Sequence, residues 1–103
     1  DVYRKYAALV IRSIYETLAK FFDYDNTINK LSEMKDTYPK LISEFSAYLN
    51  SYCSIDDKNV RYQNKKIYGK LETDIEYKQA IIDYISGMTD RYAIEIFNEL
   101  IRF

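Results

Sequence analysis

The chain has 103 residues, 48% of them hydrophobic and 30% charged, with a formal net charge of −1. That is one domain at most, with apolar residues enough for a modest core, and it excludes a disordered tail. No apolar run reaches the length of a bilayer crossing, and so small a net charge argues against binding nucleic acid by bulk electrostatics.

Tyrosine occurs 12 times and histidine not at all, and Cys53 is the single cysteine. Many of the tyrosines fall on apolar faces, where a ring is buried while its hydroxyl finds a partner. One cysteine makes no internal disulfide, and the first residues lack a signal-peptide pattern. A reduced, cytoplasmic compartment is the simplest expectation.

Residues 2–22 form the longest periodic segment. Tyr3, Ala7, Val10, Ile14, Leu18 and Phe21 fall on one helical stripe, widened by Tyr6, Leu9, Ile11 and Phe22. So wide a band predicts burial on more than one side, or contact with something outside this chain. The segment opens without an N-cap, as a helix cut from a longer chain would. Asp23-Tyr24-Asp25-Asn26-Thr27 reads as a turn, with Asp25 placed to cap a short helix through Ile28, Leu31 and Met34.

Pro39 suits the first position of the next helix, after Thr37 or Tyr38, because its missing N–H costs little there. That helix runs to about Tyr52, with Leu41, Ile42, Phe45, Tyr48, Leu49 and Tyr52 on one face. Ser54 to Asn64 is polar and reads as a loop. Lys65-Lys66-Ile67-Tyr68-Gly69-Lys70 reads as a short helical turn ended by Gly69. Thr73 with Glu76 has the form of a capping box opening the following helix. No segment alternates as a half-buried strand does. The predicted fold class is all-α, a bundle of four to six helices around one core, spanning 1–103 as a single domain.

Ile81, Ile82 and Ile85 lie at helical spacing before Gly87, and Ile94, Ile96, Phe97, Leu100 and Ile101 after it. Gly87 suits the residue just past a helix, where a left-handed conformation is cheap without a Cβ. Thr89 suits the N-cap of the next helix, with Asp90 in its first turn facing the positive end of the dipole. The stretch therefore predicts a helix, a sharp Gly-Met-Thr corner and a second helix.

The string in that corner, Asp83-Tyr84-Ile85-Ser86-Gly87-Met88-Thr89-Asp90-Arg91-Tyr92-Ala93, resembles the C-terminal signature of the bacterial deoxynucleoside triphosphate triphosphohydrolases, the dGTPase-like branch of the HD-domain phosphohydrolases. The likeness is weaker over Lys66-Ile67-Tyr68 and the final Leu100-Ile101-Arg102-Phe103. It implies the C-terminal accessory part of such an enzyme, packed on an HD catalytic domain of the same polypeptide and helping to shape its nucleotide site. The parent so implied hydrolyses a deoxynucleoside triphosphate to deoxynucleoside and inorganic triphosphate. Its divalent metal is held by histidines and aspartates, and without histidine this segment alone is expected to be inactive. The resemblance also implies a homo-oligomer.

It carries Tyr84, Asp90 and Arg91 as candidate substrate-binding residues, ordering the corner and facing the nucleotide pocket. Gly87 and Thr89 are its structural residues. Each has a plainer reading from the residues alone. Tyr84 and Tyr92 sit at spacings that bury rings in a core. For Arg91 an ion pair with Asp90 or Glu95 is a more ordinary role than a phosphate contact. Asp83 and Asp90 are a carboxylate pair with no third ligand, a weak metal signal. Lys65-Lys66 with Tyr62 and Tyr68 resembles a basic aromatic patch for single strands or nucleotides, yet Asp56, Asp57, Glu72 and Asp74 surround it. Cys53 has no histidine to activate it. The rival reading is a stand-alone helical interaction module, which explains the amphipathic helices but not the corner's particular string.

Overall fold

Helical periodicity along the chain becomes five α-helices in a computed structural model that describes residues 2–52 and 71–102. They are α1 (Val2–Ala19), α2 (Thr27–Glu33), α3 (Pro39–Tyr52), α4 (Asp74–Ser86) and α5 (Asp90–Leu100), with a 3-10 turn, Tyr24–Asn26, before α2. The described residues contain no strand, and the fold class is all-α as expected. The loop expected over Ser54 to Asn64, the turn at Gly69, the Lys65-Lys66 patch and Cys53 lie outside the described residues.

Helix α1 packs on α4 and α5, and α3 packs on α2, α4 and α5. The core between them takes Val10, Ile14, Leu18 and Phe21 from the stripe of α1, together with Leu31 of α2. Leu41, Ile42, Phe45 and Leu49 come from α3, Tyr77, Ala80, Ile81 and Tyr84 from α4, and Ile96 and Phe97 from α5. From Val10 to Phe21 the predicted stripe is thus the buried one. The residues that widen it behave differently: Phe22 is half-buried, while Tyr6, Leu9 and Ile11 are exposed. The band is wider than this fold can cover.

Two boundaries differ from the sequence reading. Helix α1 ends at Ala19 rather than near residue 22. Its last turn tightens through a bond from the Phe21 amide to the Leu18 carbonyl at 3.1 Å, the usual way that unsatisfied terminal carbonyls are served. Asp25 does not cap α2, whose N-cap is Asn26, without a side-chain bond to the helix's amides. The turn is held instead by buried Thr27, whose hydroxyl accepts from the Asp23 amide at 2.8 Å and donates to the Tyr24 carbonyl at 3.2 Å. Those bonds secure Tyr24 at φ 50, a conformation that a bulky residue rarely adopts.

Two helix ends are closed by side chains from far along the chain. The hydroxyl of fully buried Tyr77 donates to the Leu18 carbonyl at 2.6 Å, at the C-terminus of α1. Glu99 of α5 accepts from the Lys40 and Leu41 amides, both at 2.9 Å, at the N-terminus of α3. A carboxylate here meets unpaired N–H groups and the positive end of the helix dipole, which is why a charged side chain 7% exposed is tolerated in the bundle. Pro39 opens α3 as its position predicts.

Candidate functional site

The two helices that meet at the α4–α5 corner each open on a cap. Thr73 starts α4 with both bonds of a capping box to Glu76, and Thr89 starts α5 by accepting from the Tyr92 amide at 3.1 Å. Both were expected. Gly87 was expected to be left-handed and is not: its φ is −88 and its ψ −1. The reason is that α4 closes by overlapping bonds. The Gly87 N–H is shared between the Asp83 and Tyr84 carbonyls at 3.3 Å each, and the Met88 amide donates to the Ile85 carbonyl at 3.0 Å. With the last carbonyls served in this way, no left-handed residue is needed.

The corner separates two concave surfaces. On the side of α1 is a small pocket of about 100 Å³, walled by Tyr6, Val10, Ile11, Met88 and Ile94 with Asp90 at its edge. It has room for one apolar side chain and is too small for a nucleotide. Of its walls, Tyr6, Ile11 and Ile94 are exposed, so the pocket belongs to an apolar face of α1 and α5. On the other side, between α3 and α4, is an open groove of about 490 Å³. Tyr48, Tyr52, Tyr84, Tyr92, Glu44 and Asp83 line it, and the Met88–Thr89 step forms part of both surfaces.

The candidate residues divide between these places. Tyr84 is buried, its ring centroid 5.1 Å from that of Phe45 and 5.3 Å from that of Tyr48. Its hydroxyl and that of Tyr92 share a hydrogen bond of 2.6 Å. Burial raises the Tyr84 hydroxyl's pKa above the ordinary tyrosine range, and the bond to Tyr92 raises it further. Burial also raises that of Tyr92. Both therefore stay neutral and serve as packing rings. Asp90 lies in the first turn of α5, exposed and on the pocket side. The Arg91 side chain is 92% exposed and pairs weakly with Glu95 at 3.7 Å. Asp83 accepts from Gln79 at 2.9 Å. Tyr84, Asp90 and Arg91 thus do not converge on one cavity.

Two acidic residues and a tyrosine were missed by sequence reasoning. Glu44 and Tyr48 of α3 complete the tyrosine groove, and Glu99 locks α3 to α5. The spacing Glu44, Tyr48, Tyr52 at i, i+4, i+8 was the available signal that these residues share a helix face. Among the described residues no three of His, Cys, Asp and Glu come together as metal ligands do. The absence of histidine from the whole chain means that a His–Asp metal set of the kind the resemblance implies cannot lie in it. No helix among the described residues is long and apolar enough to cross a membrane.

Comparison with known proteins adds one match. The family model for the phosphohydrolase-associated domain matches residues 27–99, most of the chain, and includes α2 through nearly all of α5. No curated protein and no solved structure gives a significant match.

Proposed function

Since the chain belongs to the family of phosphohydrolase-associated domains, we propose that it is the accessory domain of an HD-type deoxynucleoside triphosphate triphosphohydrolase, cytoplasmic and oligomeric, and that it packs on the HD catalytic domain of the same polypeptide. The observation that carries the reading is membership of this family by a chain with no histidine at all. A partner domain supplies the divalent metal and its ligands, while this one supplies a surface. The apolar face of α1 and α5 around the small pocket is the docking side, because so much exposed aliphatic and aromatic area in one place marks a contact surface. Asp90 lies against that face and Arg91 follows it in the first turn of α5, which supports a position for both near the proposed seam with the catalytic domain. There Arg91 faces the triphosphate and Asp90 orders the corner. Tyr84 acts from within, holding Tyr92 and the start of α5 in place.

The test is deoxynucleoside triphosphate hydrolysis by the full polypeptide that joins this domain to an HD catalytic domain. Arg91→Ala is expected to cut activity at least about tenfold while shifting stability by less than about 0.5 kcal/mol, as a side chain so exposed allows. Ile11→Asp together with Ile94→Asp is expected to lower activity while helicity is kept, through loss of the docking contact. Full activity in both variants would overturn the reading and favour a stand-alone helical interaction module.

A further inference from the structure

Resting on the reading above that a catalytic domain docks on this side of the bundle, we propose that the furrow between α1 and α4 is covered by an amphipathic helix of that domain with acidic flanks. The furrow is an open groove of about 740 Å³. Ala8, Ile11 and Tyr15 of α1 form one side of it, and Ile82 and Ile85 of α4 the other. Ile11 and Ile82 are exposed. Ile11 and Ile85 also line the small pocket beside α5, so the groove continues the apolar face assigned to docking.

The shape suits a helix. Two helices packed side by side leave a furrow that accepts the side-chain ridge of a third. Ala8, Ile11 and Tyr15 stand at i, i+3 and i+7, so the apolar strip runs for two turns along α1, about 10 Å. The small side chain of Ala8 gives close access to α1. Leucines spaced at i, i+3, i+4 and i+7 on an incoming helix would bury this strip together with Ile82 and Ile85.

The charges choose the flanks. Arg12 lines the groove and no described carboxylate does. Arg4 and Lys5 lie two turns earlier on the same side of α1, both exposed, and Glu16 is that helix's one acid. Arg4, Lys5 and Arg12 form no ion pair with any described residue. This side is basic although the whole chain carries a net charge of −1. A second copy meeting the groove through its own α1 would set these cations against themselves. An anionic membrane would answer the cations but present a flat surface to a furrow. Carboxylates flanking an aliphatic ridge answer both the charge and the shape.

The test is an NMR titration of the full 103-residue chain with a peptide of about 18 residues, long enough to be helical, with leucines at the spacing above and glutamates on their flanks. The control peptide has lysine in place of every glutamate. The Ile11, Ile82 and Ser86 signals are expected to move with a Kd on the order of 0.1–1 mM, and the lysine peptide to bind at least about tenfold more weakly. Ile82→Asp should weaken binding at least about tenfold and Arg12→Glu about threefold, with the buried Tyr77 ring signal reporting an intact fold. In the full polypeptide, Arg12→Lys puts an amine at the groove. Carbodiimide is expected to join that amine, as an amide and with a urea leaving, to a carboxylate on a helix of the catalytic domain, which mass spectrometry locates. Equal affinity for the two peptides, no movement at the groove, or coupling only within this domain or to another chain would each overturn the proposal. Movement of the same signals by phosphatidylglycerol vesicles and by neither peptide would overturn it in favour of a membrane surface. Any of these results alongside lost hydrolysis in Ile11→Asp with Ile94→Asp would strike the acidic helix and leave the docking reading standing. Preference for the glutamate peptide alongside full hydrolysis in that variant would strike the docking reading, and with it the catalytic domain as the source of the helix.

Discussion

Replacing Glu99 should destabilise the domain more than any other single change to a polar side chain described above. The carboxylate accepts two amide bonds of 2.9 Å, from Lys40 and Leu41, and is itself 7% exposed. Loss of a helix cap costs about 0.5–2 kcal/mol. The Leu41 amide is buried, so an alanine at 99 leaves it without water, adding about 1–3 kcal/mol for an unsatisfied donor. The Lys40 amide is only partly buried and recovers some hydration. Together these give a loss of about 3 kcal/mol for Glu99→Ala, which for a domain of this size lowers Tm by roughly 12–24 °C. Glu99→Gln keeps one acceptor but turns an NH2 towards the second amide, and should lose more than half as much. Glu95→Gln is the control. It breaks only exposed pairs, to Lys40 at 3.3 Å and to Arg91 at 3.7 Å, a change of about 0.5 kcal/mol. Thermal melting by circular dichroism gives the stabilities, and exchange of the Leu41 amide locates the effect. A Glu99→Gln variant melting within about 0.5 kcal/mol of the native chain, or unchanged exchange at Leu41, would refute the account.

Two further outcomes follow from the corner and the core. Gly87→Ala should be neutral or stabilising by about 0.5 kcal/mol, through the less flexible unfolded chain. Gly87 has a φ that alanine accepts, and an added Cβ meets only the Tyr84 and Asp83 carbonyl oxygens at 3.7 and 3.8 Å. A loss above about 1 kcal/mol by denaturant titration would show that the corner needs glycine for another reason. Alkaline pH should unfold the domain. Tyr77 and Tyr84 are raised by burial above the ordinary 10.0, so the unfolded chain releases these protons first. The stability they contribute is complete below pH 10 and falls as pH rises beyond it. Ultraviolet titration should show these two ionising only with loss of helicity; if they titrate while helicity holds, the burial argument fails.

How much of this was readable beforehand depended on distance along the chain. The core stripes of α1 and α3, the start at Pro39, the capping box at Thr73 and the cap at Thr89 are local patterns, and each was read from residues within a turn or two of its effect. The bonds from Tyr77 to α1 and from Glu99 to α3 join residues 58 or 59 positions apart, so the helix ends they close looked uncapped in the sequence. Gly87 failed differently. Its composition fits the left-handed rule, but overlapping bonds at the end of α4 made the rule unnecessary. The tyrosine groove was half visible, since Tyr84 and Tyr92 were named and their neighbours Glu44 and Tyr48 came from a helix read only for its apolar face.

The eleven residues of the corner divide by what the fold asks of them. Tyr84 is in the core, Ile85, Met88, Tyr92 and Ala93 pack against it, and Thr89 caps α5. Those six are explained by folding alone, and any helical corner of this shape would favour similar residues. Arg91 is not explained to the same degree. Asp90 gains a modest dipole interaction in the first turn of α5, while Arg91 makes one long ion pair from a side chain almost wholly in solvent. Arg91 could be exchanged for another polar residue at a cost of a few tenths of a kcal/mol to this fold. On the reading proposed above, the reason for an arginine at that helix start lies outside the bundle, in the domain that covers the apolar face. On that reading the string carries two kinds of information: its apolar and capping residues describe this domain, and its exposed arginine describes the surface it meets.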